Sequence, residues 1–138
     1  MKRRDFILTS AALVSTSFAA TPLVAAVPYV EGLVATELAA GATVFLDFKA
    51  SWCTTCAAQE RVIEKLKAEN PAYEKSVVFI DVDWDEFGRS DLVKRLNVPR
   101  RSTLIVLKGD AEIGRIVAGT NEAEIKMLMD RALATTLA

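Results

Sequence analysis

The sequence predicts one α/β domain, a central sheet flanked by helices, carried behind a short export leader. Three observations lead there. Runs of β-forming residues alternate with amphipathic segments along the chain. The only two cysteines stand where one such run meets a helix. The N-terminal segment has the anatomy of a secretory signal rather than of a folded element. A length of 138 residues suits one domain with a short appendage, and 51% hydrophobic with 25% charged residues is the mix of a globular chain.

The leader comes first. Lys2, Arg3 and Arg4 make a basic start, Asp5 follows, and no charged residue occurs from position 6 to position 30. A run of that length can reach across a bilayer, which takes about 20 apolar residues. However, Thr9, Ser10, Ser15, Thr16, Ser17 and Thr21 dilute it, and Pro22 and Pro28 interrupt it. Ser17-Phe18-Ala19 and Val24-Ala25-Ala26 both offer the residues a signal peptidase accepts. The expectation is a signal peptide over residues 1–26 and a folded domain over 27–138, with an uncleaved membrane anchor as the alternative. Arg3-Arg4-Asp5-Phe6-Ile7-Leu8 resembles a twin-arginine export signal, although arginine pairs also occur in leaders of the general route. Either route predicts a periplasmic, oxidising destination, where a cysteine pair can hold a disulfide.

Beyond the leader, Glu31 to Ala40 reads as a short helix stopped by Gly41. Thr43 to Phe48 is a strand of β-formers with one acid, Asp47, set among apolar residues. Cys53 to Glu69 is helical, with Ala58, Val62 and Leu66 at four-residue spacing beside Ile63, and Asn70-Pro71 ends it. Val77 to Val82 is almost continuously apolar, as in a strand covered on both faces. Asp91 to Leu96 is a short helix. Thr103–Leu107 and Glu112–Val117 are strands joined through Lys108-Gly109-Asp110, a hairpin signal. Asn121-Glu122-Ala123-Glu124 resembles a capping box, and Ile125, Leu128, Met129, Ala132 and Leu133 trace one face of the helix behind it. The predicted order is α-β-α-β-α-β-β-α.

Composition removes whole classes of chemistry. Histidine is absent, which excludes histidine general bases, Ser-His-Asp and Cys-His nucleophile systems and histidine-containing metal sites. Two cysteines cannot make a disulfide scaffold or a four-cysteine zinc site from one chain. Seventeen Lys+Arg against 18 Asp+Glu leave a net charge of −1, with no basic excess for nucleic acid.

What remains is Trp52-Cys53-Thr54-Thr55-Cys56, two thiols three residues apart where a strand feeds a helix. That spacing at a helix start brings the sulfurs within bridging range. Cys53 then lies where unpaired N–H groups and the helix dipole favour an anion, which lowers its pKa and makes it the nucleophile. Cys56, one turn inside, is the resolving thiol that releases a mixed disulfide.

The segment Leu46-Asp47-Phe48-Lys49-Ala50-Ser51-Trp52-Cys53-Thr54-Thr55-Cys56 resembles the active-site segment of the thioredoxin family, and the order of elements from about Glu31 to Leu133 is similar to the family's throughout. The resemblance implies a thioredoxin-like fold with a central mixed sheet and a thiol–disulfide oxidoreductase activity. It implies that Asp47 is the buried carboxylate behind the cysteines, an acid of raised pKa able to take a proton from Cys56. No bound cofactor and no metal are required, since the dithiol carries the two electrons. The implied partners are disulfide-containing client proteins and a membrane thiol transporter or other redox donor, with no nucleic acid; the chain is expected to act as a monomer.

Four positions depart from the family pattern. Thr54-Thr55 replaces the Gly-Pro of thioredoxin itself, and Lys49 stands where an aromatic is usual. The family's proline before its third strand, opposite the cysteines, falls on Ser102, with Pro99 three residues earlier as the alternative. A serine there is expected to keep a trans peptide bond, because a cis bond outside proline costs roughly 2.5–4 kcal/mol. Trp52, Arg101 and Ser102 then belong to the substrate groove, and Arg100 and Arg101 favour acidic partners.

Plainer readings stand beside these. The cysteines can form a structural disulfide or hold a metal between two thiolates, and Asp47 can be an ordinary strand acid. Asp81, Asp83, Asp85 and Glu86 around Trp84 read as a solvated strand end before a cation site. The chain has no room for the helical insertion of periplasmic oxidases or the extra domain of isomerases, so the expected role is a periplasmic reductant. The competing class is a non-enzymatic thioredoxin-fold binding module for a partner or a metal.

Overall fold

One strand organises the molecule. In the computed structural model, which describes residues 26–137, strand β2 (Thr43–Lys49) lies at the middle of a five-stranded sheet. On one side it pairs in parallel with β3 (Val77–Asp83), which in turn pairs in parallel with the two-residue β1 (Val27–Pro28). On the other side it pairs antiparallel with β4 (Thr103–Lys108), which runs antiparallel to β5 (Ala111–Val117). The order is β1-β3-β2-β4-β5, a mixed sheet.

The two-residue period of a strand sends neighbours to opposite faces, and both faces of β2 are covered. Val44, Leu46 and Phe48 join Ile80, Val82, Ile105 and Leu107 in a core closed by helix α1 (Leu33–Ala39) through Val34 and by α5 (Asp91–Leu96) through Leu92 and Val93. Phe45 faces the other way. With Phe79, Leu104 and Val106 it packs under α2 (Thr54–Glu69), α3 (Ala72–Ser76) and α6 (Glu122–Thr135), which supply Ile63, Leu66, Tyr73, Ile125, Leu128 and Met129. Asp47 lies on this second face, two residues along from Phe45.

The long elements fall where the sequence places them. Asn121 caps α6 by accepting the Glu124 N–H at 3.2 Å, one half of the predicted capping box. Gly109, with φ +56, turns the β4–β5 hairpin. Three short elements were not predicted: β1, α3 and α4 (Trp84–Phe87). None is long enough to show a period. β1 exists through its pairing with β3, where the Tyr29 N–H also reaches the Asp81 carbonyl at 2.8 Å. α4 is started by Asp83, whose side chain accepts the Asp85 N–H.

The inner face of α2 needs correction. Its buried residues are Cys56, Gln59, Ile63, Leu66 and Lys67, whereas Ala58 and Val62 are only half-buried. A glutamine and a lysine therefore occupy positions that a purely apolar reading passes over. The expected signal peptide lies outside the described residues apart from Ala26. Among those described, no helix is long and apolar enough to cross a membrane.

Leu104, fully buried between the sheet and the α2/α6 layer, tests this packing. Leu104→Ala should lower the unfolding free energy by about 2–5 kcal/mol with little change in denaturant m-value. A loss well below 1 kcal/mol in urea unfolding would mean that the layer closes over the gap.

Candidate active site

Strand β2 ends at Lys49, and Ala50 to Trp52 turn the chain into α2, with the Cys53 N–H donating to the Ala50 carbonyl at 3.1 Å. Cys53 is the N-cap. Its backbone is extended (φ −88°, ψ 112°), and its Sγ accepts the Cys56 N–H at 3.1 Å, the place a serine or aspartate oxygen takes in an ordinary cap. The two cysteines form a disulfide with their Cα atoms 5.3 Å apart, within the normal range for a bridge. Both are buried, and Trp84 packs beside them and Ala50.

Ser102 closes the site from the opposite side. Its Oγ lies 3.1 Å from the Sγ of Cys53 and 3.1 Å from that of Cys56. Ser102, not Pro99, therefore faces the cysteine pair, and no cis peptide bond occurs among the described residues. The residue is fully buried and adopts φ +61°, a left-handed conformation uncommon for a side chain with a Cβ. Its backbone is held on both sides. The Ser102 N–H donates to the Phe48 carbonyl at 2.7 Å, and its carbonyl accepts from the Ala118 N–H at 2.8 Å and from Gln59 Nε2 at 3.0 Å.

Asp47 is 5% exposed, and its Oδ1 has no hydrogen-bond partner among the described residues. It lines a narrow cleft with Lys49, Glu60, Ile63, Lys67 and Asp81. The α2 residues of that cleft continue the helical stripe that begins at Cys56. Burial is the main force raising the Asp47 pKa; Asp81 and Glu60 add to it, Lys49 and Lys67 oppose it, and the result is about 7. Lys49 bridges the group, 3.1 Å from Glu60 and 3.6 Å from Asp81. Burial pulls the Lys49 pKa down, but Asp47, Asp81 and Glu60 outweigh it and leave it raised. Asp81, directly across from Asp47 in the β2–β3 register, is itself raised by burial against the pull of Lys49.

The other groove residues stand nearer the surface, with Arg101 half-buried and its Nε enclosed without a hydrogen-bond partner among the described residues. Trp52 is 57% exposed; its Nε1 donates to both Asp85 carboxylate oxygens at 3.0 and 3.1 Å, and the Arg101 guanidinium stacks over its ring at 4.5 Å. Of the three predicted groove positions, Trp52 and Arg101 line the surface and Ser102 lies beneath it. Arg100 turns back to donate to the Arg101 carbonyl at 3.2 Å. The acidic cluster divides its work: Asp81 faces Lys49, Asp83 caps α4 and Asp85 holds Trp52. No group of three or more metal-ligating side chains gathers among the described residues. Two site residues were missed in the sequence. Gln59 Nε2 ties Ser102 to Gly119, whose carbonyl it reaches at 2.9 Å, and Lys67 lies buried over the Phe79 ring at 4.2 Å. Both lie on the stripe Cys56–Gln59–Ile63–Lys67, which the spacing reveals once polar residues are admitted to it.

A mixed sheet whose central strand delivers a Cys-x-x-Cys pair to the N-terminus of the next helix defines a thioredoxin-fold dithiol–disulfide protein. The Thioredoxin family model matches residues 33–131. The chain is 36% identical over 83 residues to thioredoxin of Echinococcus granulosus, covering 60% of this chain and 71% of that protein. It is 34% identical over 83 residues to thioredoxin-1 of Saccharomyces cerevisiae, covering 60% and 74%. Among solved structures it is similar to Trxlp from Edwardsiella tarda, with a TM-score of 0.64 at 28% identity, covering 75% of this chain and 98% of that one. The chain belongs to the thioredoxin family. With its Cys53–Cys56 pair it is a disulfide oxidoreductase.

The raised Asp47 pKa fixes a pH dependence. Between roughly pH 4 and pH 7 the folded chain keeps a proton on Asp47 that the unfolded chain has released, so this group costs stability progressively as pH rises through that window. Asp47→Asn removes the cost. Urea unfolding should find the variant increasingly more stable than the parent from pH 4 to pH 8, by on the order of 4 kcal/mol at the upper end. A difference that does not grow with pH would show that the carboxyl ionises as freely in the folded chain as in the unfolded one.

Proposed function

We propose that this thioredoxin-family protein is an exported reductant of protein disulfides. The observation that carries the reading is the cysteine pair at the start of α2, with Asp47 on the buried face beneath that helix. In the dithiol form, the Cys53 thiolate attacks one sulfur of a client disulfide, forming a mixed disulfide and releasing the first client thiolate. Cys56 then gives up its proton and attacks Cys53 Sγ. The Cys53–Cys56 disulfide forms, the bond to the client breaks, and the second client thiolate leaves. Two electrons pass to the client, and both of its sulfurs end as thiols after protonation.

The N-cap position suits Cys53 as nucleophile, since its sulfur already accepts the Cys56 N–H at the positive end of α2. Asp47 takes the Cys56 proton. A pKa of about 7 lets it accept that proton and then lose it through the cleft where Lys49, Glu60 and Asp81 meet solvent. Trp52 and Arg101 form the wall on which clients dock, with Arg101 drawing acidic segments. The connection from β3 to β4 consists of α4, α5 and their turns and carries no inserted domain, which supports the reductant role over that of an oxidase. The leader, with Arg3-Arg4, supports a periplasmic location. There, a membrane thiol transporter would return the pair to the dithiol, and the protein would act as a monomer.

The purified dithiol form should reduce insulin disulfides, and Cys53→Ser should bring the rate to background. Cys56→Ser should accumulate mixed disulfides with clients, whereas Cys53→Ser should not. Failure of the parent protein to reduce insulin would favour a binding module instead. Asp47→Asn should slow resolution of the mixed disulfide by about tenfold or more near pH 7. N-terminal sequencing of periplasmic material should begin between Ala20 and Val27, and replacing Arg3-Arg4 with two lysines should block export if the route is twin-arginine. Recovery of the full-length chain in the membrane fraction would make the leader an anchor.

A further inference from the structure

We propose that Ser102 is a catalytic residue, its hydroxyl donating a hydrogen bond to whichever active-site sulfur carries the negative charge. The proposal rests on the reading of Cys53 as nucleophile and Cys56 as resolving thiol, and adds to it a donor from outside the Cys-x-x-Cys segment.

The geometry assigns the direction of the bond. Ser102 Oγ stands 3.1 Å from each sulfur, and it has no other hydrogen-bond partner among the described residues. Both sulfurs are in the disulfide and carry no hydrogen, so the hydroxyl is the donor. A disulfide sulfur is a weak acceptor and a thiolate a strong one. The same buried hydroxyl therefore gains little while the pair is oxidised and much once it is reduced. The hydroxyl lowers the pKa of the thiol it serves and favours the dithiol form over the disulfide.

One proton can serve two sulfurs only in turn, and the order of the reaction supplies the turns. In the free dithiol the charge is on Cys53, which then holds the Ser102 hydroxyl together with the Cys56 N–H. In the mixed disulfide Cys53 is bonded to the client, its negative charge having left on the first client thiolate, and Cys56 becomes the charged sulfur when it gives up its proton to attack. The hydroxyl, already equidistant from both sulfurs, needs only to rotate.

The surrounding backbone keeps it there. Ser102 holds a left-handed conformation at φ +61° through its N–H to Phe48 and its carbonyl to Ala118 and Gln59. A conformation that costs energy at a fully buried position, fixed by three hydrogen bonds and aimed at reactive atoms, is the pattern of strain retained at a functional site. Gln59 acts here as a positioning residue, through its amide on the Ser102 carbonyl.

Two variants separate the hydroxyl from the backbone. Ser102→Ala removes the hydroxyl and keeps the strained conformation, while Ser102→Gly removes the hydroxyl and relieves the strain. Two quantities are read on each full domain: the Cys53 pKa, from the pH dependence of iodoacetamide alkylation, and the equilibrium with glutathione. In both variants the Cys53 pKa should rise by about one unit. The equilibrium should move about tenfold toward the disulfide, a potential about 30 mV more negative. Unchanged values in both variants overturn the proposal. So does a shift seen in the glycine variant alone, which would assign the effect to backbone strain. The parent protein gives the separate check on the underlying reading: if its Cys53 is alkylated no faster than its Cys56, the nucleophile assignment falls, and the role of Ser102 falls with it. An acidic Cys53 in the parent with unmoved variants rejects Ser102 alone.

Discussion

The antiparallel pairing of β2 with β4 is the constraint on which the site depends. Because the two strands run in opposite directions, the end of β2 lies beside the beginning of β4, with Phe48 opposite Thr103. The chain leaving β2 must therefore turn into α2 next to the chain arriving at β4, and the cysteines meet Ser102 as a consequence of sheet order. The hydrogen bond from the Ser102 N–H to the Phe48 carbonyl extends that ladder by one residue beyond the strand. The cores on both faces of β2 then hold the junction fixed, one under α1 and α5, the other under α2, α3 and α6.

Charge is arranged around the junction with equal economy. The face of β2 that turns toward α2 is apolar at Phe45 and acidic at Asp47, and the sheet places a second carboxylate, Asp81, directly across from it. Asp47 is buried and Asp81 half-exposed; burial makes both resist ionisation, and Lys49 moderates that resistance from the cleft mouth. Lys67 serves the same layer in another way. Its ammonium lies over the Phe79 ring and reaches Glu64 and Glu74, so a cation occupies a core-facing helix position without being stranded.

Much of this was legible in the sequence because it is carried by long patterns or by rare residues. The alternation in β2 and β4, the apolar run of β3 and the face of α6 are periodic over whole elements. Cys53 and Cys56 announce themselves by being the only thiols, and Asp47 by being an acid inside the apolar strand that leads to them. What escaped depends on distant partners. β1 is two residues long and is a strand only because β3 lies beside it. Gln59 is an unremarkable polar residue until the carbonyls of Ser102 and Gly119 converge on its amide. The position of Ser102 could be counted from the hairpin, but the approach of its hydroxyl to both sulfurs comes from a backbone angle that no local sequence signal at a serine reveals.

The backbone N–H of Ser102 sets a boundary on how this loop can change over evolutionary time. A proline at position 102 would lack that N–H and would hold φ near −65°, far from the +61° found here. It would leave the Phe48 carbonyl without its donor and displace the carbonyl shared by Ala118 and Gln59. The positions that meet at this residue thus form an epistatic block. A lineage can cross between the serine loop and a proline loop only by altering several of them together, because the single replacement passes through a form that has lost one arrangement without gaining the other. These main-chain contacts bar proline but not alanine or glycine, so a chain with no use for the hydroxyl could lose the serine and still keep the shape of the loop.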